Sequence, residues 1–285
     1  MNETILSKIK LVVSDLDGTF LNDEKIITRE NLLACERLRE NKIALSFCTG
    51  RPVQMFEKYA EDACVKIPVI GCNGAFVYDL EKRKIIFEKR ILREAFLKIA
   101  KFSLDNKMDF LAYTAEKIFY VKWSKRVSVF LNYQNYVAET YKVLKSQNDL
   151  VPFETLSEIE NENVIKILIT ELNGNDLELM SEFLKTLSDV SFVKSMSNVL
   201  DIMAQNVSKG DGVKILANYL RISLENVCVF GDEENDISMM KLAGFSVAMK
   251  NATDSVKNVS RFVSKKTNNE SAFADTISNF AKTEI

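Results

Sequence analysis

Short apolar runs alternate with stretches of helical spacing through about the first eighty residues, and the same alternation resumes near Ser195. No other feature restricts the possible folds so strongly. "KIKLVVSD", "KIALSFCTG" and "IPVIGCNGAFVYD" are continuous apolar strands, the last running into a turn and hairpin. Between them, "TRENLLACERLREN" reads as a helix with Thr28 as N-cap and Leu32, Leu33 and Leu38 on its inner side. "PVQMFEKYAEDA" reads as a helix opened by Pro52. Past Ser195 come the helix "KGDGVKILANYL", the strand "NVCVFGD", the helix "ENDISMMKLAG" and the strand "FSVAM". A strand that is apolar on both faces needs helices on both faces. The expected fold is therefore α/β, a doubly wound parallel sheet.

The middle of the chain has another character. "DFLAYT", "KIFYVKW" and "VIKILIT" are two-sided strands, with helical spacing over 93–106 and 176–187. Strands that follow one another with only a turn between them predict an antiparallel sheet. The expected organisation is a core over 1–83 and 195–285, interrupted by an inserted α+β domain over 84–194. The final "KTEI" is expected to fray.

Ligands of open α/β sheets bind beyond the carboxyl ends of the strands, so the residues just past each strand matter most. After the first strand stand Asp15 and Asp17; after the second, Thr49, Gly50 and Arg51. Lys209 opens a later helix, and Asp232 and Asp236 follow the strand "NVCVFGD". Parallel strands bring these distant positions together. Several carboxylates at one point repel one another unless a cation intervenes. With neither His nor Cys in the set, a hard ion bound through oxygen is expected, and Mg²⁺ is the commonest. Lys209 and Thr49 remain to hold an anion, which describes a site for phosphoryl transfer.

The composition narrows the chemistry further. The chain has no histidine, which removes Ser-His-Asp hydrolysis and nearly every zinc site. It has no GxxxxGK[ST] loop and no cysteine followed six positions later by arginine. Five cysteines, an odd count without a CxxC, predict no disulfide framework and a reducing cytoplasm. Cys48 and Cys228, inside apolar strands, are expected in the core. A net charge of −2 and lysine runs interleaved with glutamate, as in "EKRKIIFEKR", predict no nucleic-acid partner. No run reaches the roughly 20 apolar residues of a membrane span, and the N-terminus lacks a signal-peptide pattern, so no membrane partner is expected.

Each piece alone has a plainer reading. "DLDGT" is a turn or a fragment of a calcium loop, "TGR" a loop, Lys209 a helix start, and "GDEEND" an acidic helix N-terminus. In this order, each at a strand or helix junction, "DLDGT", "TGR", "SKG" and "GDEEND" resemble the four motifs of the haloacid dehalogenase superfamily. The size and position of the insertion, "CNGAFVYD" before it and "VAMKNA" near the end are similar to the Cof-type branch, subclass IIB, with a large α/β cap. The resemblance implies a Mg²⁺-dependent phosphatase of a small phosphorylated metabolite, a sugar phosphate. In it Asp15 is the nucleophile that forms an aspartyl-phosphate. Asp17 protonates the leaving oxygen and then activates water, a task suited by a pKa raised by its neighbours. Thr49 and Lys209 hold the phosphoryl oxygens. Asp15, the backbone carbonyl of Asp17 and Asp232 bind the metal, with Asp236 supporting. Leu16, Gly18, Gly50, Arg51, Asn73 and Asn235 line the phosphate and substrate.

Asn251 reads as a turn residue; Tyr113, Trp123 and Lys125 of the insertion are substrate contacts or, more simply, sheet packing. The chain departs from the family where Lys250 stands for a frequent Gly, and at Ser271 and Ala272, where an Asp-Gly pair is frequent. Two alternatives stay open: a sugar phosphomutase, which uses a similar cap, and a binding protein on the same fold without turnover. Retention of Asp17 speaks against the second, since a binder needs no proton shuttle.

Overall fold

The structure, a computed structural model, describes residues 4–141 and 149–284. In chain order the elements are α1 (Ile5–Lys8), β1 (Leu11–Ser14), α2 (Arg29–Glu40), β2 (Ala44–Phe47), α3 (Val53–Asp62), β3 (Val69–Gly71), β4 (Phe76–Asp79) and β5 (Lys84–Glu88). There follow α4 (Arg93–Asp105), β6 (Asp109–Tyr113), β7 (Ile118–Val121), α5 (Val127–Tyr141), β8 (Leu150–Phe153), β9 (Lys166–Thr170), α6 (Asp176–Leu184), β10 (Val190–Met196) and β11 (Val199–Ala204). The last group is α7 (Lys209–Leu220), β12 (Val227–Gly231), α8 (Ile237–Leu242), β13 (Phe245–Ala248), α9 (Asp254–Val259), β14 (Phe262–Val263) and α10 (Ala272–Phe280).

The chain divides into two compact units: Met1–Arg51, Tyr59–Phe87 and Ser208–Ile285 form one, Pro52–Lys58 and Glu88–Val207 the other. The second boundary lies past the expected Lys194. The reason is β11, which pairs antiparallel with both β9 and β10 and so belongs to the sheet of the inserted unit.

The first unit holds a five-stranded sheet of order β14-β13-β12-β1-β2, parallel throughout. From β1 the chain moves outward to β2 on one side and through β12, β13 and β14 on the other. The order therefore reverses between β1 and β12, where α/β sheets open a crevice at their carboxyl ends. β1, β2 and β12 are buried almost end to end, as strands covered on both faces must be. A smaller sheet, β3-β4-β5, in which β3 and β4 are antiparallel, joins the edge through a parallel bridge between Cys48 and Ile70.

Two local expectations are corrected. Thr28 does cap α2, accepting from Asn31 N at 3.3 Å, but the buried stripe is Asn31, Ala34, Cys35 and Leu38, while Leu33 is exposed. Asn31 occupies that stripe because its amide is fully used: Nδ2 donates to Phe20 O at 2.8 Å and Oδ1 accepts from Ala274 N at 3.2 Å. Nor does the C-terminus fray through Glu284: Ile5 N donates to Thr283 O at 3.0 Å and Thr4 bridges Glu284.

The second unit carries a six-stranded sheet, β10-β11-β9-β6-β7-β8, antiparallel except for β7 and β8. Phe110, Ala112, Ile167, Ile169, Leu200 and Ile202 share one face and join Phe96, Ile99 and Ala100 of α4 and Leu177, Met180 and Leu184 of α6 in one core. The period of two puts Asp109, Lys166, Thr170 and Asp201 on the opposite face. Among the described residues no helix is long and apolar enough to cross a membrane.

Candidate active site

The crevice between β1 and β12 is furnished by the turns that end those strands. β1 stops at Ser14, and Asp15 N still donates across to Phe230 O at 3.0 Å, which fixes Asp15 at the strand tip. The chain then folds back: the Leu16 carbonyl accepts from Thr19, Phe20 and Leu21 N at 3.4, 3.1 and 2.8 Å. Gly18 takes φ 76°, and a Cβ there would lie 2.2 Å from Asp232 Oδ2. Only glycine allows both the left-handed turn and the carboxylate pressed against it. Asp232, the first residue past β12, also accepts a 2.6 Å bond from Thr19 Oγ1.

Lys209 enters from the first turn of α7, whose N-cap is Ser208. Its ammonium is 1% exposed and lies 2.8 Å from Asp15 Oδ1 and 2.7 Å from Asp236 Oδ1. The other oxygen of Asp236 accepts from Asp232 N at 2.8 Å and Glu233 N at 3.0 Å. Asp236 thus ties the ammonium to the loop that carries Asp232. Thr49 is buried two residues past β2; its carbonyl accepts from Asn73 N at 2.9 Å and its hydroxyl from Arg51 N at 3.2 Å. The Asn73 loop takes left-handed backbone at Cys72, Asn73 and Gly74, and a Cβ on Gly74 would lie 2.0 Å from the Ser208 carbonyl. The loop after β3 is thereby pressed against both the Thr49 segment and the start of α7.

Asp15, Asp232 and Asp236 each offer an oxygen, and these oxygens lie within 4.8 Å of one another. Burial pushes Asp15 up to about 7; Lys209 opposes that, and the Asp236 charge adds to it. Burial, then the charges of Asp15 and Asp236, raise Asp232 well above the usual carboxylate range. Burial alone would lower Lys209, but Asp15 and Asp236 outweigh it and hold its pKa above normal. One ammonium does not neutralise three carboxylates. The surplus charge, the all-oxygen donor set and the close spacing fit a hard divalent cation. Asp15 and Asp232 are the better ligands, because both Asp236 oxygens are already engaged.

Asp17 departs from expectation. Burial favours its neutral form, but Arg51 and Lys25 outweigh burial and hold its carboxyl far below the usual range, not above it. Arg51 Nε donates to Oδ2 at 2.6 Å and Nη2 to Oδ1 at 2.7 Å, while Lys25 Nζ lies 2.9 Å from Oδ1.

The remaining candidates separate. Asn235 Nδ2 donates to Asn73 Oδ1 at 3.1 Å, so these two amides meet. Asn251 is more than a turn residue: its Nδ2 donates to the Gly18 carbonyl at 2.8 Å and its Oδ1 accepts from Asn268 N at 3.0 Å. Leu16 is buried and contributes its carbonyl to the turn. Cys48 and Cys228 are buried, and no cysteine is in a disulfide. In the second unit Tyr113 is buried against Phe130, Trp123 Nε1 donates to Met108 O at 3.0 Å, and Lys125 N donates to Asp109 Oδ2 at 2.9 Å. Sequence reasoning passed over Thr19 and Lys25. The first stands inside "DLDGT", where a hydroxyl next to a glycine turn was a usable signal; the second is one surface lysine among many.

A family model of haloacid dehalogenase-like hydrolases matches residues 12–277. The chain belongs to that family. A putative phosphatase of Mycoplasma genitalium is 26% identical over 276 residues, which cover 92% of this chain and 95% of that one. A 5-amino-6-(5-phospho-D-ribitylamino)uracil phosphatase of Bacillus subtilis is 28% identical over 278 residues, 93% of this chain and 96% of that one. A solved sugar phosphatase of haloacid dehalogenase subclass IIB superposes with a TM-score of 0.81 at 21% identity, covering 95% of this chain and 99% of that one. This haloacid dehalogenase-like hydrolase is a Cof-type enzyme, a phosphoric monoester hydrolase.

Proposed function

We propose that the enzyme hydrolyses a small phosphate monoester, a sugar phosphate, through an aspartyl-phosphate on Asp15. The observation that carries this reading is the buried Lys209 bridging Asp15 and Asp236 within a cluster of three carboxylates. Lys209 favours the ionised form of Asp15 against burial and directs one of its oxygens, as a nucleophile requires. That oxygen attacks phosphorus and the bond to the leaving oxygen breaks. Asp17, held ionised by Arg51 and Lys25 at rest, must first leave them and take up a proton from solvent, which it then gives to the leaving oxygen. Water then attacks phosphorus, Asp17 takes its proton, and the bond to Asp15 breaks to release inorganic phosphate. Thr49 and Lys209 hold the phosphoryl oxygens, with Gly50, Arg51, Asn73 and Asn235 around them. Asp15, Asp232 and the Asp17 carbonyl would hold Mg²⁺, which would supply positive charge against the charge developing on the phosphoryl group.

The substrate class is supported by the named action of the Bacillus subtilis relative on a phosphorylated ribityl compound and by the fold shared with a sugar phosphatase. Five cysteines outside any disulfide agree with a cytoplasmic setting. Phosphorus NMR with hexose 1- and 6-phosphates and the ribitylaminouracil phosphate, with and without Mg²⁺, tests the reading. Free phosphate should rise in step with ester loss, and chelation should stop it. Interconversion of the two hexose phosphates with negligible free phosphate would replace the phosphatase by a mutase.

A further inference from the structure

Arg51 and Lys25 form around Asp17 the arrangement with which proteins bind oxyanions: a planar guanidinium fork and a compact ammonium. Both Asp17 oxygens are taken, Oδ2 by Arg51 Nε and Oδ1 by Arg51 Nη2 and Lys25 Nζ, all within 2.9 Å. The arrangement is braced from below. Tyr59 OH donates to the Lys25 carbonyl at 2.8 Å, and the Arg51 guanidinium lies 5.2 Å over the Tyr59 ring. Lys25 sits in left-handed backbone, φ 61°, closed by its N–H to Asn22 O at 2.9 Å. The Arg51 side chain is 11% exposed, and its backbone N–H reaches the Thr49 hydroxyl at 3.2 Å. Two cations therefore serve one carboxylate beside a hydroxyl assigned to the phosphoryl group.

Building on the phosphatase reading, we propose that Arg51 and Lys25, braced by Tyr59, are an oxyanion subsite that the Asp17 carboxylate occupies at rest. Phosphoryl oxygens of the ester, or of product phosphate, displace Asp17 from it. One set of charge-assisted hydrogen bonds is exchanged for another, and no covalent bond changes. The exchange links binding to chemistry, because the displaced carboxylate is the group needed at the leaving oxygen. Tyr59 is a positioning residue in this scheme.

The test is competition, read by calorimetric binding of inorganic phosphate to the full-length protein in Mg²⁺. Asp17→Asn weakens the internal occupant, so phosphate should bind roughly tenfold tighter. In a Lys25→Met, Arg51→Met background the same substitution should give less than a twofold gain, since nothing is left to compete for. Lys25→Arg should preserve the full gain. Simple charge repulsion between Asp17 and phosphate predicts a gain undiminished in the double background, and that result overturns the subsite. So does the absence of any gain in Asp17→Asn. Hydrolysis of hexose phosphates without this coupling sinks the subsite and leaves the phosphatase; coupling without hydrolysis does the reverse.

Discussion

Each unit of the molecule buries a lysine against a carboxylate, and the two arrangements differ in their charge balance. In the second unit Lys166 meets Asp201 at 2.8 Å, 3% and 1% exposed, with the ammonium 5.4 Å from the Tyr113 ring. In the first unit Lys209 is as deeply buried but faces Asp15 and Asp236 at once, with Asp232 close by. The first is an ion pair on the face of a sheet whose other side carries the apolar core. The second set is open, because the fold places more anion than cation at a switch point between strands. A buried ion pair is by itself weak ground for assigning function. A buried surplus of one sign is stronger ground, since it is stable only when something of the other sign completes it.

The two buried lysine sites should differ most in their bearing on activity. Asp15→Asn should lower phosphate release by roughly 10⁴-fold or more, as loss of a nucleophile does, while Lys166→Met measured on a small aryl phosphate should leave readily detected turnover. Comparable losses in the two variants would remove the distinction. Asp17→Asn should slow turnover by about 100-fold or more, with phosphorylated protein accumulating in intact-mass spectra. If no such species is trapped and the rate is unchanged, Asp17 is not the proton shuttle.

Stability sharpens the same contrast. Lys209→Met leaves three buried carboxylates without an internal cation and should destabilise the chelated protein by about 3–5 kcal/mol. Mg²⁺ should recover part of that, about 2.7 kcal/mol at a hundredfold excess over its Kd. Lys166→Met should also destabilise, but Lys166→Met with Asp201→Leu should return to within about 1 kcal/mol of wild type, because a buried ion pair can be replaced by apolar packing. Urea unfolding of the four proteins, with and without Mg²⁺, gives these values; rescue of Lys166→Met by Mg²⁺ would contradict the comparison.

Two smaller effects concern Asp232 and pH. Thr19→Val removes the 2.6 Å bond to Asp232 and should weaken Mg²⁺ binding roughly tenfold, read by calorimetry, with the fold intact. Asp15 has its folded pKa raised from 3.8 to about 7, so the folded chain binds more protons than the unfolded one between those values. The chelated protein should therefore lose stability as pH rises from about 4 to 7 and level off above, and Mg²⁺ should flatten the slope. Asp17, with its pKa lowered, acts in the opposite sense, adding stability above its unfolded value that is lost only in strong acid. A Tm that rises steadily from pH 4 to 7 without metal would count against the charged cluster.

Much of the first unit was legible in the sequence because its signals are local. α7 begins at Lys209 and β12 ends at Gly231, with Asp232 directly after, as the apolar runs and their polar ends indicate. The second unit was harder. α5, "VSVFLNYQNYVAETY", is rich in β-branched and aromatic residues that favour strands, and it was passed over. The expected boundary at Lys194 cut β10 near its end and left β11 in the returning core, since only pairing with β9 shows where β11 belongs.

The sequence by itself determined the alternating strands and helices, the order of the four motifs and the identity of the carboxylates, lysine and threonine at strand ends. Periodicity and turn chemistry act over a few residues, and a single chain displays them directly. Tertiary structure decided which charges meet. Asp17 is held ionised because Arg51, thirty-four positions away, and Lys25, on the adjoining turn, converge on it. Asp15 and Asp232 titrate high because β1 and β12 lie side by side and bury them together. A pKa depends on distance and burial, and both are set only when the strands have found their partners.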